Sequence, residues 1–184
     1  MRFRTSTAVT VCVLTAGLTA AGCSSASSSS SSAAPTESQP QAAGNAGTCQ
    51  PASLGVAIGA KSGGTGQQTM VVDLTNKGSS ACTMDGFPGV DLVGAANGKK
   101  NFTWSLTRSS ASYSKVTVQA GKTAHFGLTF LPGTADGANI TVVKMVITPP
   151  NAYKQAEVSW NQPVLLQDGA THPGTYITPV VPGS

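Results

Sequence analysis

Thr69-Met70-Val71-Val72-Asp73-Leu74-Thr75, followed by Asn76-Lys77-Gly78, decides the fold class. Met70, Val72 and Leu74 alternate with Val71, Asp73 and Thr75. Period-two alternation puts one set on a core and the other toward solvent, as in a half-buried strand. Asn76-Lys77-Gly78 then ends the run with turn-forming residues.

The same pattern repeats outward from this stretch. Upstream, Leu54 to Ile58 forms a short strand, and the Gly-rich residues from Ser62 to Gly66 form the turn between the two. Downstream, Val90 and Leu92 alternate with Asp91. Asn97-Gly98 then marks a hairpin leading into Phe102, Trp104 and Leu106. Val116 and Val118 make another strand. Phe126, Leu128 and Phe130 face one way, with His125, Gly127 and Thr129 opposite. Ile140 to Thr148 is apolar on both faces except at Lys144, which predicts a central or partly covered strand. Val158 and Trp160 form a late strand. Tyr176 to Val181 reads as an edge strand, because its proline cannot serve an interior ladder. Helix-period stretches are missing. The expectation is an all-β, immunoglobulin-like antiparallel β-sandwich of about eight or nine strands over residues 48–184.

The first 47 residues are of a different kind. Arg2 and Arg4 precede an apolar run from Ala8 to Leu18, too short to span a bilayer, which takes about 20 residues. This is the layout of a secretory signal, assigned to residues 1–22. Leu18-Thr19-Ala20-Ala21-Gly22-Cys23 resembles a bacterial lipobox, except that Ala20 stands where leucine is usual. The resemblance implies a diacylglyceryl-modified Cys23 and a membrane partner, since two or more acyl chains anchor stably. The alternative is ordinary cleavage after small residues and release as a secreted protein. Residues 23–47 are mostly Ser, Ala, Pro, Gln and Gly, a composition that cannot offset its ordering entropy; they read as a tether.

The whole chain carries a net charge of +4. Without Arg2 and Arg4, nine basic and seven acidic residues remain, a net charge of +2. The longest basic run is Lys99-Lys100, with no interleaved aromatics, so nucleic acid is excluded as a partner. Of the four cysteines, Cys12 lies in the signal and Cys23 is the lipid site, leaving Cys49 and Cys82 as an even pair outside the cytoplasm. A metal site needs more ligands, and a redox pair reads C-x-x-C. A structural disulfide is expected, contributing about 3.7 kcal/mol by loop-closure entropy.

Leu74-Thr75-Asn76 and Cys82-Thr83-Met84-Asp85-Gly86-Phe87-Pro88-Gly89-Val90 resemble an actinobacterial domain-of-unknown-function family, the one numbered 4232. Val116 to Gly121 and Thr175 to Pro179 look like its later blocks. Its members are largely exported lipoproteins, and many carry a second cysteine pair that this chain lacks. The resemblance implies fold and location, not chemistry. The Asn76-to-Val90 block has a structural reading: Asn76 and Gly78 supply positive φ, Cys82 staples the block, and Phe87 caps the core. It also has a ligand-loop reading, with Asn76, Gly86, Phe87, Pro88 and Gly89 as candidate binding residues.

Other motifs fail on context. Ser112-Tyr113-Ser114-Lys115 has the S-x-x-K form, but it runs into a strand and lacks companion motifs. Leu131-Pro132-Gly133-Thr134-Ala135 is an internal turn rather than a sorting signal. His125 and His172 are not spaced for a shared metal or a triad. No catalytic residue, metal or cofactor is expected. The predicted function is a non-enzymatic envelope module binding a protein or glycan, with Trp104, Tyr113 and Trp160 as the aromatics to inspect for an exposed sugar platform and core packing as the expected role of both tryptophans. A structural spacer and an envelope hydrolase are the alternatives.

Overall fold

The computed structural model describes residues 46–63, 66–166 and 174–183. The signal segment, Cys23, most of the tether and His172 lie outside the described residues.

Twelve strands are found among the described residues. They are β1 (Leu54–Gly63), β2 (Gln68–Asn76), β3 (Cys82–Asp85), β4 (Gly89–Ala96), β5 (Lys99–Ser105) and β6 (Thr107–Arg108). After them come β7 (Lys115–Val118), β8 (Thr123–Phe130), β9 (Asn139–Thr148), β10 (Ala156–Leu165), β11 (Tyr176–Ile177) and β12 (Val181–Pro182). One sheet runs β1-β2-β8-β11-β6, with β12 also on β8; the second runs β10-β9-β4-β5; β3 and β7 form a separate ribbon. All-β sandwich architecture is thus observed, antiparallel apart from the β6–β11 pair and a bridge between Thr48 and Thr83.

The alternation in β2 and β8 makes the core. Met70, Val72 and Leu74 are buried, as are Phe126, Leu128 and Phe130. Leu92, Met145, Ile147 and Val164 meet them from the other sheet. Trp160 packs edge-on against Phe130, with ring centroids 5.1 Å apart, and joins the sheets. Asn97 and Gly98 have φ of 52° and 75°, the positive-φ pair that a tight β4–β5 hairpin needs.

β9 is interior, as its composition predicts, but both its faces are not equally covered. Val143 is skipped in the β4–β9 register, where Val93 pairs with Lys144 and Gly94 with Val142. The bulge reverses the side-chain phase. Ile140 and Val142 before it, and Met145 and Ile147 after it, therefore all reach the core, while Val143 stays exposed. Gly94 makes room for this bulge: a Cβ there would overlap the Thr141 carbonyl and lie 2.9 Å from Val142 Cα. Gly94→Ala is expected to cost about 1–3 kcal/mol in chemical denaturation. Unchanged stability would mean β9 can shift freely.

The strand count exceeds the sequence expectation for identifiable reasons. β3 has one fully buried apolar side chain, Met84, and exists through pairing with β7, Cys82 opposite Val118 to Asp85 opposite Lys115. The exposed two-residue β6 is a strand only because β11 lies beside it. The expected Tyr176–Val181 edge strand is two pieces, and β11 is interior, between β8 and β6. Pro179 falls in the break, where no ladder donor is required. There the Thr178 hydroxyl accepts the Gly127 N–H at 2.7 Å, replacing a ladder bond.

Candidate functional site

The Asn76-to-Val90 block is anchored at both ends of the β3–β7 ribbon. At one end, Cys49 and Cys82 form a disulfide with a Cα separation of 4.9 Å. Beside it Cys49 N–H donates to the Thr83 carbonyl and Thr83 N–H to the Gly47 carbonyl, at 3.0 and 2.8 Å. The incoming chain is thus pinned to β3 by backbone pairing as well as by sulfur.

Asn76 stands beside this staple and is only 1% exposed. Its Nδ2 donates to the Ser80 and Val118 carbonyls at 2.8 and 3.0 Å, and its Oδ1 accepts Gly78 N–H at 2.9 Å. Its backbone bonds the Lys122 carbonyl and the Gly121 N–H. One side chain therefore joins β2, the following loop and β7. Neither Asn76 nor Gly78 adopts positive φ, contrary to the sequence reading; Gly86 does, at 102°. The side-chain turn from Asn76 Oδ1 to Gly78 N–H closes the loop without a left-handed backbone.

A groove of about 300 Å³ lies next to the disulfide, lined by Thr48, Gln50, Ser53, Ser79 and Ser80 among others, and by no charged residue.

Gly86 to Gly89 occupy the other end of the ribbon, roughly 10 Å away along three strand residues. The structure therefore does not bring Asn76 together with the rest of the candidate loop. Gly86 and Pro88 are buried, and the Gly86 carbonyl accepts Val180 N–H at 2.9 Å. Phe87 is half-buried against the core. Its outer side meets Tyr113, with centroids 5.8 Å apart at 80°, and the Arg108 guanidinium carbon lies 5.9 Å from its ring centre. Tyr113 is 60% exposed, and its ring also rests on Gly86, where a Cβ would come within 3.5 Å.

Of the three aromatics singled out in the sequence, Trp160 belongs to the core, Trp104 is half-buried and Tyr113 faces solvent. Arg108 is the residue that sequence reasoning missed. Its signal was the run Arg108-Ser109-Ser110-Ala111-Ser112-Tyr113-Ser114-Lys115 between two strands. Serine with tyrosine is the composition of adaptable binding loops. The loop is held at its start by Ser109 N–H on the Ile177 carbonyl and at its end by Lys115 in β7.

No curated protein and no solved structure matches this chain. The family model described as a domain of unknown function, DUF4232, matches residues 49–179, which include the staple, the Asn76 hub and the Phe87–Arg108–Tyr113 cluster. The chain belongs to this family.

Proposed function

We propose that this chain is an extracytoplasmic lipoprotein, held to the membrane by a lipid on Cys23, whose sandwich is a non-enzymatic binding module for an envelope protein or glycan. One observation carries the binding part of this reading. An exposed tyrosine, in a loop held at both ends, and an arginine without an ion pair among the described residues flank Phe87. An exposed ring held by its neighbours loses little entropy on contact, which favours its use in recognition. The location rests on the N-terminal sequence features, and the Cys49–Cys82 disulfide supports an oxidising compartment.

The test uses the full chain. Wild type should fractionate with membranes and carry acyl groups on Cys23, whereas Cys23→Ser should appear in the medium or remain uncleaved. Incubated with washed envelopes, the Cys23→Ser chain should still be retained. Adding Arg108→Gln and Tyr113→Ala should cut that retention about tenfold or more, the size of a lost binding hot spot. Equal retention with and without these two changes, or no retention at all, would reject the binding reading.

A further inference from the structure

The cluster around Phe87 also points to the chemistry of its ligand, on the condition that the domain is a binding module. Arg108 is exposed and lies over the Phe87 ring, an arrangement that fixes the cation while leaving its N–H groups free. Among the described residues the ion pair present is Lys144–Glu157, so no described carboxylate forms an ion pair with Arg108. At the far end of the loop Lys115 is exposed as well, and its cross-strand neighbour Asp85 forms no ion pair with it. Two cations thus bracket a loop that contains no acidic residue.

Between them stand the hydroxyls of Ser109, Ser110, Ser112 and Ser114 and the Tyr113 ring. The apolar part of this surface is small. Of the large exposed hydrophobic side chains, Tyr113 stands in the β6–β7 loop, Val143 on β9, Tyr153 in the β9–β10 loop and Val181 on β12. A stable protein interface buries about 1,000 Å² or more in total over both partners, with apolar anchors at its centre. An exposed ring, a serine-rich loop in which the Ser109 hydroxyl accepts the Ala111 N–H, and two cations without an ion pair among the described residues suit a smaller, polar ligand. The ring can cover the C–H face of a sugar, serine hydroxyls can exchange hydrogen bonds with sugar hydroxyls, and a guanidinium fork matches a carboxylate.

We infer that Phe87, Arg108 and Tyr113, with the serines beside them, form a subsite for an acidic saccharide, a glycan segment whose rings carry carboxylates. Arg108 takes the carboxylate and Tyr113 the ring, while Phe87 holds both in place.

The experiment titrates the full chain with a short oligogalacturonate, with the same oligosaccharide after methyl esterification, and with an oligoglutamate peptide. Binding should be strongest for the free acid. It should fall about tenfold on esterification and about tenfold in Arg108→Gln, the usual size of a lost charge-assisted hydrogen bond. Arg108→Lys should fall between, because it keeps charge but loses the fork. Tyr113→Ala should weaken binding several-fold, with all three variants melting like wild type. Equal binding of the ester, no binding of the free acid, or tighter binding of the peptide would overturn the inference. Should oligogalacturonate fail while envelope retention still depends on Arg108 and Tyr113, the ligand class is wrong but the binding module stands. Should retention fail too, the module reading falls with it.

Discussion

Asn76→Asp is expected to destabilise the domain by about 3–5 kcal/mol, more than most single substitutions. The two side chains have almost the same shape, so packing is unaffected. What changes is the hydrogen-bond inventory. In the native chain Nδ2 donates to two carbonyl oxygens, those of Ser80 and Val118, at 2.8 and 3.0 Å. An aspartate would set a carboxylate oxygen against both. The side chain is 1% exposed, so the charge would be buried with one favourable partner, the Gly78 N–H. Asn76→Ala should cost less, about 2–3 kcal/mol, by leaving those groups unpaired without adding charge. Urea denaturation of the full chain measures both. A loss below about 1 kcal/mol for the aspartate variant would mean the loop re-forms without its hub.

The second large effect concerns the staple. Removing the Cys49–Cys82 bond, by Cys82→Ser with Cys49→Ser, should cost about 2–5 kcal/mol, with about 3.7 kcal/mol expected from loop entropy. That is a large share of the 5–15 kcal/mol typical of a domain. The loss should be local before it is global. Gly47 and Cys49 hold β3 through two backbone bonds, to Thr83 N–H and from Cys49 N–H. In the serine variant these amides should exchange with solvent faster than those of β2 and β8, whose pairing does not involve the staple. The groove beside the disulfide should open with them. Uniform exchange across all strands would show that the bond acts only on the unfolded chain. A stability change under about 1 kcal/mol would remove its structural role.

The two effects meet in one place, because Asn76 and Cys82 both hold a ribbon with little core of its own. Met84, Val116 and Val118 are its buried apolar residues. A two-stranded ribbon is marginal in water, so β3 and β7 need the side-chain and sulfur links to neighbouring elements. These links also position the loop with Tyr113, which begins at β6 and ends at β7.

The sequence by itself determined the sandwich and its principal strands. Alternation at Met70, Val72 and Leu74, and at Phe126, Leu128 and Phe130, assigns each residue to one face because the strand period is two. Asn97-Gly98 specified its hairpin because only such residues tolerate successive positive φ. Cysteine arithmetic identified the Cys49–Cys82 pair. Tertiary structure alone decided the elements whose stability comes from partners distant in sequence. β3 and β6 have no readable periodicity, and each is a strand because another chain segment supplies its hydrogen bonds; the Tyr176–Val181 strand was legible, but the interior place of β11 between β8 and β6 was not. The same reason hid the role of Asn76, which reads locally as a turn former but whose partners include Val118, 42 residues away. It hid the cluster as well. Arg108 and Tyr113 share one loop, but Phe87 lies about 20 residues earlier, and ring contacts depend on where strands end in space rather than on any spacing along the chain.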